Sequence, residues 1–153
     1  MSNAAEPAGQ ATGRVFVYHR AISFGDCDPA GIVFYPNFYR WFDEAVHALL
    51  REIGWDWQRT AADFGWLGLP LAAASATFLR PATHGQTVRI ETRTTGFDDR
   101  RVVFAHRVLH GDELLCEGEE KRFVGIPHPD DPKRVRAIEA PPELRLALLG
   151  AAA

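Results

Sequence analysis

The feature that most constrains the fold lies between Asn37 and Gly54. Apolar residues recur there at Phe38, Trp41, Phe42, Ala45, Val46, Leu49, Leu50 and Ile53, in unbroken steps of three and one. With a helical period of about 3.6 residues, that spacing keeps one face apolar. Arg40, Asp43, Glu44, His47, Arg51 and Glu52 fill the other side. Asn37 is a good N-cap, and Gly54 stands where a helix should stop. A long helix of this kind must bury its stripe, and the rest of the chain has to supply the surface.

That surface reads as strands. Val15 to Phe24 alternates and is rich in branched and aromatic residues, as are Leu69 to Leu79, Thr87 to Gly96, Arg101 to His110 and Leu114 to Ile126. Gly111-Asp112 joins the last two as a hairpin turn. Short helices are expected over Asp56 to Phe64 and Glu143 to Leu149. The proline-rich, charged stretch Pro127 to Pro142 reads as a connection. The order is therefore strand, long helix, then four strands joined by short turns. This predicts an α+β domain in which an antiparallel sheet packs on one helix.

Composition excludes most alternatives. With 153 residues, 46% hydrophobic and 24% charged, the chain makes one soluble domain that buries about two-thirds of its unfolded surface. It has no room for a cofactor domain beside a substrate domain. A net charge of −3 argues against the basic stripe of a nucleic-acid binder. No apolar run approaches the ~18 residues of a membrane span. Cys27 and Cys116 are too few for a disulfide scaffold, and no C-x-x-C pair suggests zinc. Residues 1–13 lack the basic start and apolar core of a secretory signal and read as a disordered leader, which points to the cytoplasm and reduced thiols.

The least ordinary segment is Asp26 to Asn37, DCDPAGIVFYPN: an acid-rich turn, an apolar stretch, and then the helix start. Its opening mimics a calcium loop, but Ala30 and Asn37 stand where an oxygen ligand and a bidentate Glu are needed. A carboxylate working in acyl transfer is the sharper reading. Unpaired N–H groups at a helix start suit a developing oxyanion, and an Asp in the preceding loop would supply a nucleophile or general base. The plainer reading makes Asp26 and Asp28 turn formers, since Asp before Pro commonly starts a turn. Spacing alone leaves both open.

Other candidates carry less. No motif places a His near Cys27, which reads as an inert buried thiol. His106 and His110 share a strand face but lack a third metal ligand. Gly65-x-x-Gly68 has neither the lysine nor the preceding strand of a phosphate loop. Arginines in the sheet and tail, among them Arg89, Arg93, Arg100, Arg101, Arg107 and Arg136, suit a solvated face or the phosphates of a nucleotide-bearing substrate.

The run Phe24 to Asn37, followed by Arg40, Trp41 and Asp43, closely resembles the signature of the 4-hydroxybenzoyl-CoA thioesterase family. Arg134 to Glu139, with Pro141, is similar to that family near its C-terminal end. The resemblance spans Ile22 to Pro142. It implies a hotdog fold, an antiparallel sheet wrapped around one long central helix, with residues 14–150 as a single thioesterase domain. It also implies hydrolysis of a CoA thioester without metal or cofactor, coenzyme A being part of the substrate. A homodimer or homotetramer with active sites at subunit interfaces is implied as well.

By the same resemblance, Asp28 of the D-P-x-G turn is the catalytic residue. It acts as the nucleophile that forms an acyl-enzyme anhydride, or as a base for water. The backbone N–H of Tyr35 polarises the thioester carbonyl, and Gly31 belongs to the substrate-binding turn. Trp57 aligns with an acyl-pocket tryptophan once one preceding residue is deleted. Leu69 stands where a threonine is expected, which makes the acyl pocket more apolar. Arg100, Arg101 and Arg136 fall near the CoA nucleotide, with Asp98 and Asp99 where positive charge is expected.

The resulting expectation is an acyl-CoA thioester hydrolase for an aromatic acyl group such as 4-hydroxybenzoyl, with no nucleic-acid or membrane partner. Leu69 would equally suit a short or branched aliphatic acyl group. A non-catalytic acyl-CoA or acyl-carrier binding protein on the same scaffold is disfavoured by Asp28, because binding gains nothing from a buried carboxylate beside a thioester. One sheet and one helix offer little pocket, so a neighbouring subunit is expected to complete it.

Overall fold

The stripe of three-and-one steps forms α1, Pro36–Glu52, in the computed structural model, which describes residues 13–150. Trp41, Phe42, Ala45 and Val46 on that stripe are wholly removed from solvent. The surface they bury against is a six-stranded antiparallel sheet. Its strands are β1 (Phe16–Ala21), β2 (Leu71–Phe78), β3 (Thr87–Asp98), β4 (Arg101–His110), β5 (Glu113–His128) and β6 (Asp131–Ile138). They lie in the order β1-β3-β4-β5-β2, with β6 pairing the far part of β5. Two short helices complete the chain, α2 (Trp57–Phe64) and α3 (Pro142–Leu149). This is the α+β hotdog arrangement that the resemblance implied.

The core has two parts along α1. Phe38, Trp41 and Phe42 pack with Val33, Ile90, Val108 and Cys116 near the helix start. Val46, Leu49 and Leu50 pack with Leu69, Phe104 and Val124 beyond it, where α3 adds Leu144 and Leu148. Each large side chain buried this fully contributes about 1.5–3 kcal/mol. One contact needs a glycine: a Cβ on Gly118 of β5 would overlap the Phe42 ring. The ring itself stacks flat on His106, with centroids 4.4 Å apart.

Three expectations are corrected. The helix begins one residue before the expected cap: Tyr35 is its N-cap and Pro36, which has no N–H to leave unpaired, opens it. Asn37 lies inside the helix, and its Nδ2 donates to the Asp26 carbonyl at 2.8 Å. The connection expected over Pro127 to Pro142 contains β6, so five strands follow α1. Asp131–Ile138 shows no period-two burial, being largely exposed, and becomes a strand by laddering from Val124↔Ile138 to Pro127↔Val135. The strand expected over Val15 to Phe24 is shorter, and Phe24–Asp26 form a single 3-10 turn. Most of the expected leader, residues 1–12, lies outside the described residues; Gly13 donates its N–H to the Thr94 carbonyl at 2.8 Å.

Candidate active site

The segment before α1 folds back on itself. Phe34 N–H donates to the Asp26 carbonyl and Asp28 N–H to the Ile32 carbonyl, both at 2.9 Å, and Cys27 bridges Val33 between them. Gly31 supplies the reversal at φ +79°, a left-handed conformation that favours glycine. Thr83 Oγ1 donates to the Gly31 carbonyl at 2.8 Å, and Val33 N–H to the Ala82 carbonyl at 2.9 Å, pinning the loop to the β2–β3 connection. Asp28 and the start of α1 thus sit on the two arms of one narrow hairpin.

This geometry sorts the two aspartates. Asp26 is buried, and its Oδ2 accepts from Ser23 N–H at 2.9 Å and Ser23 Oγ at 3.0 Å, while Oδ1 lies 3.7 Å from Arg20. Its lone pairs are committed to the fold. Asp28 is half-buried and accepts one local bond, from Ala30 N–H at 2.9 Å, in an Asp-Pro turn. The turn role and an available carboxylate coexist. At the head of the helix, Asn37 N–H donates to the Phe34 carbonyl and Phe38 N–H to the Tyr35 carbonyl. The Tyr35 N–H makes no hydrogen bond among the described residues. It is a free donor at the positive end of a 17-residue helix.

Beside that donor lies an apolar cavity of about 470 Å³, lined by Ile32, Val33, Tyr35, Phe38, Phe78 and Leu79 among others. The Phe78 ring stands 6.0 Å from Tyr35 and 5.4 Å from Phe38.

The remaining residues chosen from sequence lie elsewhere. Trp57 opens α2, mostly exposed, and lines a separate cavity of about 380 Å³ with His47, Arg51, Asp56 and Gln58. Leu69 is buried in the second half of the core. Arg100 and Arg101 follow the β3–β4 turn, where Asp99 takes φ +54°. With Ala72, Phe123 and Ala137 they line a third cavity of about 290 Å³, and Arg100 Nη1 donates to the Ala137 carbonyl at 3.4 Å. Arg136 is the next residue along β6. Asp98 is held by Lys121 at 2.8 Å, whereas Arg100, Arg101 and Arg136 make no ion pair among the described residues.

Register measures the separation between these groups. Phe78, beside Tyr35, stands opposite Cys116, and Leu71, beside Leu69, stands opposite Arg122. Six strand residues span about 20 Å. Within one chain, Asp28, Gly31 and Tyr35 come together at one end of β2, and Leu69, Arg100 and Arg101 at the other.

Sequence reasoning missed a chain of buried polar groups between sheet and helix. Thr92 Oγ1 meets His106 Nδ1 at 2.8 Å, and His106 Nε2 meets Glu120 Oε2 at 3.2 Å. Arg122 donates through Nε to Glu120 Oε2 at 3.1 Å, and through Nη2 to Glu120 Oε1 at 3.0 Å and Asp43 Oδ1 at 2.7 Å. Its Nη1 donates to the Leu69 carbonyl at 3.1 Å. Burial pushes the Glu120 carboxyl up, but His106 and Arg122 outweigh it and the net direction is down. His47 and Arg122 bring the Asp43 carboxyl down to about 2. The signal was available: period two from Cys116 to Val124 puts Glu120 and Arg122 on the core face.

Among the described residues nothing else forms a reactive cluster. Both cysteines are free, and burial pushes the Cys116 thiol up to about 12. Among the described residues no three His, Cys, Asp or Glu side chains cluster as metal ligands. No helix there is long and apolar enough to cross a membrane.

Known proteins share this arrangement. The profile of the Thioesterase-like superfamily matches residues 22–148. The 4-hydroxybenzoyl-CoA thioesterase of Pseudomonas sp. (strain CBS-3) is 34% identical over 84% of this chain and 93% of its own length. A 1,4-dihydroxy-2-naphthoyl-CoA hydrolase of Thermosynechococcus vestitus is 26% identical over 72% of this chain and 77% of its own. The crystal structure of a 4-hydroxybenzoyl-CoA thioesterase variant complexed with 4-hydroxybenzoyl-CoA superposes with a TM-score of 0.83, at 31% identity, covering 89% of this chain and 99% of that one. The helix-capping loop, the wrapped sheet and these relatives agree: the chain belongs to the Thioesterase-like superfamily and is an acyl-CoA thioester hydrolase.

Proposed function

We propose that this protein hydrolyses an aromatic acyl-CoA such as 4-hydroxybenzoyl-CoA to the free acid and coenzyme A, in a site completed by a second copy of the chain. The observation that carries the reading is the pairing of Asp28 with the free Tyr35 N–H at the two arms of one hairpin. The N–H supports the charge that develops on the thioester oxygen. Asp28 attacks the carbonyl carbon, the C–S bond breaks, coenzyme A leaves as the thiolate, and water hydrolyses the anhydride. In the alternative route Asp28 takes a proton from water, which attacks the carbon directly. Single turnover in ¹⁸O-water identifies the first route when water attacks the Asp28 carbon of the anhydride: the label then enters Asp28 and the first-cycle acid is unlabelled, an outcome the second route cannot give.

The acyl group is read from the nature of the relatives, which include enzymes for hydroxybenzoyl and dihydroxynaphthoyl thioesters, and from the aromatic walls beside Tyr35. No metal or cofactor enters either route. Arg100, Arg101 and Arg136, unpaired with any described acid, suit the phosphates of coenzyme A.

The second copy is argued from β2. This free edge reads LAAASATF and is exposed at all positions but the half-buried Ala76. It carries neither charge nor proline, the usual guards of an unpaired edge. Pairing two such edges antiparallel about a two-fold axis sets the Leu71 end of one copy beside the Phe78 end of the other. That joins Asp28 and Tyr35 of one chain to the Leu69 and Arg100 end of its partner.

Thiol release from benzoyl-, 4-hydroxybenzoyl- and hexanoyl-CoA tests the reading, with Asp28→Asn beside wild type. Aromatic thioesters should be cleaved fastest, and the Asn variant should lose at least about a hundredfold in kcat. Wild-type turnover by that variant would remove Asp28 from the chemistry. Preference for hexanoyl-CoA would replace the aromatic assignment with an aliphatic one.

A further inference from the structure

We propose that Asn37 is a positioning residue of the hydrolysis: its side-chain amide ties the first turn of α1 to the loop arm that carries Asp28, and so holds the Tyr35 N–H at the separation from Asp28 that the thioester requires. The inference rests on the reading of Asp28 and the Tyr35 N–H as the reacting pair.

Local preference does not account for this asparagine. Asn leads at the N-cap and is a poor helix former inside. Here Pro36 opens α1 and Asn37 follows it, half-buried. Among the described residues its side chain makes no bond to the backbone of its own helix. Nδ2 instead crosses the hairpin to the Asp26 carbonyl at 2.8 Å. This is the one side-chain hydrogen bond among the described residues from the first turn of α1 to the Asp28 arm.

The carbonyl it reaches is a shared anchor. Asp26 O accepts from Asn37 Nδ2 at 2.8 Å and from the Phe34 N–H at 2.9 Å, one for each lone pair. The Phe34 carbonyl in turn accepts the Asn37 N–H at 2.9 Å. Together these bonds close a ring around the Phe34–Tyr35 peptide. That peptide is planar and trans, so the Tyr35 N–H points opposite to the Phe34 carbonyl, and fixing one aims the other. Asp28 lies two residues beyond the same Asp26 carbonyl. Without the amide, the Phe34 rung alone would hold the helix start to that carbonyl.

The chemistry selects an amide at this position. Its partner is a carbonyl, so the side chain must donate. A carboxylate, otherwise favoured in a first turn by the helix dipole, would oppose that carbonyl and offset the positive end that supports an oxyanion. The first turn of α1 holds no acid. Reaction rates are steep in such geometry, a displacement of about 1 Å costing about a hundredfold. A tie of this kind therefore acts on turnover more than on affinity.

Two variants and two readouts test the role. Asn37→Leu keeps the volume, is a better helix former and cannot donate, whereas Asn37→Ala removes the side chain. In thiol release from 4-hydroxybenzoyl-CoA both should lose about tenfold or more in kcat, with KM within about threefold of wild type. The second readout is the infrared carbonyl stretch of the same ester, ¹³C-labelled at the thioester carbon and bound to Asp28→Asn. Polarisation by the Tyr35 N–H should lower that band relative to the free ester, and adding Asn37→Leu should return it toward the free position. A merely structural role would reduce the amount of folded protein and leave the band of the bound ester in place. An unchanged kcat in folded Asn37 variants, or an unmoved band, overturns the proposal and leaves the thioesterase reading intact. If the ester bound to Asp28→Asn shows no lowered band at all, the reading of the Tyr35 N–H falls with it.

Discussion

Asp26 and Asp28 stand two positions apart in one loop, yet Asp26 is closed off by Ser23 and Arg20 while Asp28 keeps its carboxylate toward solvent with a single bond from Ala30. The difference is one of position relative to Ser23. Asp26 and Asp28 both pair across the hairpin, but only Asp26 lies where Ser23 of the preceding turn can reach its side chain. The same residue type thus has its carboxylate taken up by the fold at one position and left available at the next but one.

Asp26→Ala should therefore be a stability variant. It strands the Ser23 N–H and hydroxyl and leaves Arg20 beside an apolar side chain, which should cost about 1–3 kcal/mol. Urea unfolding followed by circular dichroism measures it. A midpoint equal to wild type would show that these bonds stabilise nothing.

Gly118→Ala probes the tightest contact between sheet and helix. The added methyl meets the Phe42 ring, which is pinned against His106, so the helix must move outward or the ring must leave its stack. Overpacking of this kind costs about 1–3 kcal/mol. The thermal midpoint should drop accordingly, and a neutral outcome would mean that α1 yields freely over β5.

Acid should weaken the link between α1 and β5. Asp43 and Glu120 both have their carboxyl pKa lowered in the folded protein, Asp43 to about 2. The folded state then binds fewer protons than the unfolded one. Their stabilisation is complete above the ordinary carboxylate range, about pH 4, and is lost as pH falls toward 2. Thermal midpoints recorded from pH 6 to pH 2 should decline mainly below about pH 4. Asp43→Asn should flatten part of that decline, and an identical acid limb in the variant would exclude Asp43 as a contributor.

Ala74→Glu places a charge near the middle of the exposed β2 edge, where a two-fold pairing would bring two copies of it together. Sedimentation velocity should show a shift from dimer or tetramer toward monomer, with loss of thioesterase activity in proportion. Full activity in a monomeric variant would place the whole site within one chain.

Several elements were legible before any tertiary structure. The apolar steps from Phe38 to Ile53 specify α1, because a helix with that stripe has one face to bury. Arg101–His110 matches its strand at both ends, since alternation and the Gly111-Asp112 turn are local properties. The roles proposed for Asp28 and Tyr35 come only from the resemblance: the residues alone left turn and catalysis open.

Tertiary structure decided the rest. Tyr35 rather than Asn37 caps the helix because Asn37 is drawn to the Asp26 carbonyl across the hairpin. β6 exists because β5 runs on far enough to template it, although Asp131–Ile138 carries no core pattern of its own. Asp43 looked like a solvated helix residue, and only the register that places Arg122 beneath it turned it into the exposed end of a buried chain. Periodicity is written in the order of residues along the chain and reports what each element must bury. The meeting of Asp43 with Arg122, 79 positions apart, depends on which strand lies under which turn of the helix. No local pattern encodes that.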